Sequence, residues 1–438
     1  MPVTQPHKSL QLLYGKAGMS ITVPDSAVVL EGATIPPLTD ADAVLRDALA
    51  APIGCDPLAE LLARKRPKSV AITISDITRP VPNQVIMSNL LRVINDAGIA
   101  DEQVVIIVGT GMHRPSTPQE KVELLGCDIV ARCEVIDHRA EDPATLKLVS
   151  DDPPVSLCAR FVDVDFRIVT GLIEPHFMAG YSGGRKGVCP ALADKPTVQR
   201  FHNYTQIADP RSTTDNFDGN PVHAESLRVA TLLGVDFIVN VAIDRQRRPA
   251  GFYCGQLEQA HLAGCAQVGQ WTSVNFDRPF DLIITNGGGY PLDQTFYQSV
   301  KGMVTPLAAM HEQTVVLVVS HCGEGIGSPQ YTDIMMRWGS DWRGFLQHIA
   351  SNHDVVKDQW QYQMHARTLE RIGVDRLRFV CDALDICTQH NLAVNPVEGD
   401  GSAAMRTQRF IDRFVSDHRA AHVGVIPEGP YINPVPSA

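Results

Sequence analysis

Short runs of β-branched and aliphatic residues alternate along the chain with longer stretches whose apolar positions recur every three or four residues. The runs Val70–Ser75, Val104–Val108, Glu134–Asp137, Phe166–Thr170, Asp236–Ala242, Asp281–Thr285, Val315–Ser320, Arg378–Cys381 and His422–Ile426 are bounded by turn residues and predict strands. The stretches Asn83–Asp96, Thr117–Leu125, His223–Leu233, Asp293–Ala308, Trp342–Ser351, Asp358–Ile372 and Ala403–His418 predict helices. Strand–helix alternation of this kind predicts an α/β fold with largely parallel sheets.

A chain of 438 residues is too long for one ordinary core, so two domains are expected. The polar, turn-like stretch Gln267–Pro279 marks a boundary, after which a new strand–glycine loop–helix unit opens at Asp281. The expected division is an α/β domain over 1–272, a second α/β domain over 279–402, and a segment 403–438 packing back across both. A ligand would lie in the cleft between the domains, outside the carboxyl ends of strands.

Composition narrows the class. Apolar residues make up 44% and charged residues 20%, as in a soluble globular enzyme. A net charge of −11 argues against a nucleic-acid partner. The ten cysteines form no C-x-x-C pair, and so neither a zinc ribbon nor a small disulfide framework. Met1–Leu10 lacks the apolar core of a secretion signal, and no apolar run nears the ~20 residues of a membrane span. A reducing cytoplasm is the expected location.

Candidate chemistry gathers where strands end. Val70–Ser75 runs into Asp76-Ile77-Thr78-Arg79, Val104–Val108 into a loop with His113, and Phe166–Thr170 into one with Glu174 and His176. Two histidines on different loops suit acid/base work on two faces of a substrate, although each could simply cap its loop. Between Glu174 and Pro190 the chain reads EPHFMAGYSGGRKGVCP. Glycines at 180, 183 and 184 would let backbone N–H groups approach an anion, with Arg185 and Lys186 adding charge. Lys186 is either an anion-binding charge or a covalent attachment point. His202, in a segment without clear periodicity, is a candidate metal ligand, but one histidine alone makes no metal site. With Asp293 as the expected N-cap, Gln298 and Lys301 share one helix face that suits a small hydroxy carboxylate, although taken alone the pattern is more commonly that of a solvated helix face. Gly180-Tyr181-Ser182-Gly183-Gly184 satisfies G-x-S-x-G but lacks the flanking strand and helix of a nucleophile elbow. It leaves a serine hydrolase as the rival reading, beside a non-catalytic nucleotide- or anion-binding protein.

Taken together, SDITRPVPN at Ser75–Asn83, GTGMHRP at Gly109–Pro115, the Glu174–Pro190 stretch, FHN at Phe201–Asn203 and GGGYPLDQTFYQSVKGM at Gly287–Met303 resemble the lactate racemase family. The resemblance implies a two-domain α/β enzyme that racemises or epimerises a 2-hydroxy acid by hydride transfer to a nickel-pincer nucleotide. Lys186 would tether that cofactor covalently, and His202 would be the protein's one nickel ligand, the pincer supplying the rest. Asp76, Ile77, Thr78 and Arg79 would contact the nucleotide, with Arg79 also near the substrate. His113 and His176 would alternate as proton donor and acceptor, and Gln298 and Lys301 would hold the substrate. Cofactor-maturation enzymes are implied as partners. Choice among 2-hydroxy acids would rest on pocket residues such as Met112, Phe177, Met178, Tyr290, Phe296 and Trp360.

Overall fold

The computed structural model describes residues 6–352 and 354–437. The chain divides into two compact units. One comprises Thr34–His202 and Arg211–Trp271; the other joins the segment up to Ala33 and Asn203–Pro210 to everything from Thr272 onward.

The first unit is built on a six-stranded sheet. Its order is Pro249–Gly255, Phe237–Ile243, Phe166–Leu172, Val70–Ser75, Val104–Gly109, Glu134–Asp137. All neighbours are parallel except Pro249–Gly255, which runs antiparallel to Phe237–Ile243. The central strands are near-continuous apolar runs because helices cover both faces of such a sheet. Val70, Ile72, Ile74, Ile106, Val108 and Ile168 share one core with Ile86, Leu90 and Ile94 of helix Asn83–Asp96.

The second unit has its own six-stranded sheet, parallel throughout: Asn395–Pro396, Leu377–Val380, Met310–Val319, Phe280–Asn286, Val423–Val425, Val28–Val29. Residues 403–437 are built into this unit. Ala403 and Ile411 of helix Ala403–Asp417 pack on Leu282 and Val319, and Val423–Val425 supplies an inner strand. Val28–Val29 supplies the edge.

The α/β architecture with largely parallel sheets is as expected, and each of the nine expected strands is present within a few residues. Helix Leu257–Thr272 is a correction: it takes in Gln267–Thr272, whose polar, glycine-containing sequence suggests a turn. Its glycines dilute the apolar periodicity, yet they serve packing. A Cβ at Gly264 would fall 2.3 Å from Ile173 Cδ1. Among the described residues no helix is long and apolar enough to cross a membrane.

Candidate active site

Strands Phe166–Leu172, Val70–Ser75 and Val104–Gly109 lie side by side and parallel, with Ser75 paired to Gly109 and Thr73 to Val169. Their carboxyl ends therefore open on one edge of the sheet, the usual ligand edge of an open α/β fold. Asp76 leaves the middle strand. His113 follows the strand on one side, and Glu174 and His176 follow the strand on the other.

Hydrogen bonds fix these side chains. The buried Asp76 carboxylate accepts from the Thr78 backbone N–H at 3.2 Å and from the Thr78 hydroxyl. Its other oxygen lies 2.7 Å from His113 Nδ1. Burial opposes the charge, but bonds from His113 and Thr78 and the nearby Arg79 guanidinium hold the Asp76 carboxyl below the usual carboxylate range. An ionised carboxylate only accepts, so His113 Nδ1 carries a hydrogen, and in the neutral form of the ring the lone pair is on Nε2. Arg79 Nη1 donates to Glu174 Oε1 at 2.6 Å. His176 Nδ1 accepts from the Met178 and Ala179 backbone N–H groups at 3.4 and 3.3 Å. Its neutral form must therefore carry the proton on Nε2, which lies 3.0 Å from Lys186 Nζ. The two imidazoles rest in opposite tautomers. Ile77 packs onto the core.

The glycine-dense turn differs from the anion cradle expected of it. Gly184 N–H donates to Asn240 Oδ1 at 2.8 Å and Gly180 N–H to the Thr213 carbonyl at 3.1 Å, so these donors are already engaged. The glycines instead bring the turn against the sheet: a Cβ at Gly187 would lie 2.4 Å from Val169 Cγ1. Arg185 is a second correction. It is 1% exposed, donates to the Ala179 carbonyl at 2.6 Å, faces His261 Nε2 at 3.1 Å and stacks on Phe217. Burial pulls its pKa down to about 10. It thus braces the turn from inside, while Lys186 contacts His176 and lies 5.6 Å from the Phe201 ring centroid.

Ser182 forms no nucleophile elbow. It is buried, donates to the Leu172 carbonyl at 2.7 Å and accepts from Glu174 N–H at 3.0 Å; His261 Nε2 meets its carbonyl oxygen at 2.9 Å. The chain continues from it into a short 3-10 turn, Gly184–Gly187, and not into a long helix. Nothing in this arrangement activates the hydroxyl.

His202, expected in an aperiodic segment, caps the carboxyl end of helix Lys195–Phe201, which Asp194 opens by accepting from Thr197 N–H. Its Nδ1–H donates to the Val198 carbonyl at 2.9 Å, leaving the lone pair on Nε2. Burial pushes its pKa down to about 3, with an ammonium at Lys186 opposing a second charge. It is a neutral imidazole, the form that binds metals. Among the described residues no group of three or more His, Cys, Asp or Glu side chains could hold a metal ion.

In the other unit, Gln298 and Lys301 sit on helix Phe296–Val304. Its N-cap is Thr295, whose hydroxyl accepts from Gln298 N–H, and not Asp293. The Asp293 carboxylate instead accepts from Gly15 N–H at 2.7 Å. Gln298 Oε1 is buried with no hydrogen-bond partner among the described residues. Tyr297 OH accepts from Trp360 Nε1 at 3.1 Å. Phe296, expected to line a pocket, is fully buried against Phe379 and His365 and belongs to the core. The sequence alone assigns Glu174 no role; its place between a strand end and His176 is the signal that could have found it.

Two parallel α/β sheets with titratable loops at one set of strand ends define an enzyme-like doubly built fold. Residues 14–215 match the family model for the lactate racemase N-terminal domain, and residues 276–432 match that for its C-terminal domain. The chain is 30% identical to the lactate racemase of Thermoanaerobacterium thermosaccharolyticum, covering 96% of this chain and 98% of that one. It is 31% identical to that of Lactiplantibacillus plantarum, with the same coverage. The apoprotein structure of the T. thermosaccharolyticum enzyme superposes with a TM-score of 0.88 at 28% identity, covering 98% of this chain and all of that one. A Thermotoga maritima protein shares the fold at a TM-score of 0.64 and 16% identity. The chain belongs to the lactate racemase family, and is an isomerase.

Proposed function

We propose that this protein interconverts the enantiomers of a small 2-hydroxy acid, with lactate the first substrate to test, in the cytoplasm. The observation that carries the reading is the pair of imidazoles, His113 and His176, on loops at the carboxyl ends of the strands on either side of Asp76. Two such groups on different loops suit a reaction that removes and returns a hydroxyl proton.

The residues fit a lysine-tethered nickel-pincer nucleotide. Lys186 is half-buried beside the neutral, buried His202, whose Nε2 lone pair could take one coordination position. A single protein donor suits a square-planar Ni(II) whose other positions an organic ligand fills. Bound there, such a cofactor would supply a hydride acceptor. Hydride chemistry suits the substrate: beside a carboxylate the Cα–H is poorly acidic, and its removal as a proton would build a dianion.

The chain's own residues would do the rest. His113 Nε2 takes the hydroxyl proton as the alcohol becomes a 2-keto acid, and Asp76 stabilises the resulting imidazolium. His176, charged beforehand as the imidazolium, returns a proton when the opposite face is reduced, and in the reverse direction the roles exchange. Arg79, oriented by Glu174, would bind the carboxylate and steady the developing alkoxide. Gln298 and Lys301 are assigned to holding the substrate. Asp76, Ile77, Thr78 and Arg79 form the loop that carries the nucleotide.

Intact-protein mass with metal analysis tests the reading. Protein matured beside the cofactor-synthesis enzymes should carry an adduct and about one nickel per chain and should racemise lactate. Lys186→Ala should lack adduct and activity; an active Lys186→Ala protein would end the reading.

A further inference from the structure

We infer that Cys322 and Cys381 are a redox pair: a hydroperoxide converts the two thiols to a reversible disulfide, and the link displaces the loop that seats helix Phe296–Val304. Only the consequence for substrate rests on the assignment of Gln298 and Lys301 to holding it; the pairing itself does not.

Strand register brings the two cysteines together. Val319 at the end of Met310–Val319 pairs with Val380 at the end of Leu377–Val380, and Ser320 N–H donates to the Val380 carbonyl at 3.1 Å. The chain then turns at Cys322 with a φ of +51°, a left-handed conformation uncommon for a residue with a Cβ. Both thiols are buried and free, and they hydrogen-bond to each other. Cys322 Sγ also lies 3.6 Å from the Ser299 and Ser320 hydroxyls, and Cys381 Sγ lies 3.4 Å from the His321 carbonyl oxygen. The Cys381 sulfur accepts from Cys322 and from the backbone N–H groups of Leu384 and Ala383. Those bonds hold its thiol below the usual range although burial opposes them, which makes it the nucleophile of the pair. Burial pushes the Cys322 thiol up, so it stays protonated and acts second.

The step balances with hydrogen peroxide as the oxidant. The Cys381 thiolate attacks one peroxide oxygen, the O–O bond breaks, a sulfenic acid forms, and the other oxygen leaves as water with the proton that the thiol gave up. Cys322 Sγ then attacks the sulfenic sulfur. The S–S bond forms, the S–O bond breaks, and the hydroxyl departs as water with the Cys322 proton. Two thiols are oxidised to one disulfide and the peroxide is reduced to two waters. Access selects the oxidant: peroxide is small and neutral, whereas a bulky disulfide cannot reach sulfurs of residues at 0% and 1% exposure.

The link must move something, because an S–S bond of about 2.05 Å is far shorter than a thiol–thiol hydrogen bond. Cys381 is pinned, its carbonyl accepting from Arg406 Nη2 at 2.9 Å and Gln389 Nε2 at 3.3 Å, so Cys322 gives way. Its loop is stitched to the start of helix Phe296–Val304. Cys322 N–H donates to the Asp293 carbonyl at 2.8 Å, Phe296 N–H to the Gly325 carbonyl at 3.0 Å and Tyr297 N–H to the Ile326 carbonyl at 2.9 Å. Drawing Cys322 toward Cys381 also parts its sulfur from Ser299 on that helix.

The test treats the full chain, reduced and freed of reductant, with stoichiometric hydrogen peroxide at neutral pH. Remaining thiols are alkylated, and peptides are weighed without reduction. A peptide pair joining Cys322 to Cys381, lighter by its two thiol hydrogens and separated again by dithiothreitol, should form about tenfold faster than the exposed Cys127 is oxidised. Amide exchange in helix Phe296–Val304 should speed up by about threefold or more in the linked chain and return to its starting rate with dithiothreitol. Cys322→Ser should give no link and leave a sulfenic acid at Cys381, where dimedone adds. Oxidation of Cys127 with Cys322 and Cys381 still thiols, or Cys381 driven to a sulfinic acid without a link, would overturn the pairing. A linked chain with unaltered helix exchange would overturn its consequence. The link is read on the unsubstituted chain, so it is decided even where Cys322→Ser fails to fold. No readout needs cofactor or turnover, so failure here is distinct from failure of the racemase reading.

Discussion

Asp76 serves two purposes with one carboxylate: it ties down its own loop through Thr78 and selects the tautomer of His113. Asp76→Asn keeps the size but can donate to Nδ1, so His113 would turn its lone pair inward. Turnover should fall by ~10²–10⁴, as for loss of a positioned base, with cofactor content preserved. Rate and nickel content measured on one preparation check this. The pH sign is that of a depressed carboxyl: the stabilisation is complete above the ordinary carboxylate range and disappears as pH falls through the lower native value. Glu174→Gln should loosen Arg79 and act mainly on substrate binding, raising KM more than it lowers kcat; an effect confined to kcat would contradict Arg79 as a carboxylate clamp. At this scale the strand-end motifs were legible because polar residues directly after β-branched runs stand out. Arg185 was not, because its burial depends on Phe217 and His261, distant in sequence.

Helix Phe296–Val304 shows how an element fixes the placement of its side chains. Gly302 lets it sit directly on the strand end, where a Cβ would come within 2.0 Å of the Asn286 carbonyl oxygen. Gly302→Ala must push helix and strand apart, at a cost of ~1–3 kcal/mol for an overpacked contact. A lowered Tm with weakened substrate binding is expected, because Gln298 and Lys301 move with the helix; an unchanged Tm would show that the seat is soft. Strands and long helices were readable here because period and punctuation are local properties. The true N-cap was not, since Asp293 and Thr295 are both capable caps and Gly15, far away in sequence, engages the Asp293 carboxylate.

Across the whole molecule, long-range pairing was the least legible feature: no local pattern announces that Val28–Val29 pairs with Val423–Val425. The distribution of buried histidines has its own consequence. Burial pushes His138 and His223 down to about 4 and His202 and His261 to about 3, all in the unit of Thr34–His202 and Arg211–Trp271. Among the described residues of the other unit there is one comparable case, His365, at about 3. A neutral native imidazole does not bind the proton that the unfolded chain takes up below its ordinary value of ~6.5. Each such group therefore removes up to ~1.4 kcal/mol of stability per pH unit as pH falls from there toward its native value. Hydrogen exchange between pH 7 and 5 should show the four-histidine unit losing protection first, and equal loss in both units would contradict this. The central claim, that the C2 hydrogen of the substrate travels as a hydride while His113 and His176 handle only the hydroxyl proton, is tested most directly with lactate deuterated at C2. The matured enzyme should racemise it more slowly than ordinary lactate and yield product that keeps its deuterium, whereas extensive exchange of C2 with solvent would contradict the account.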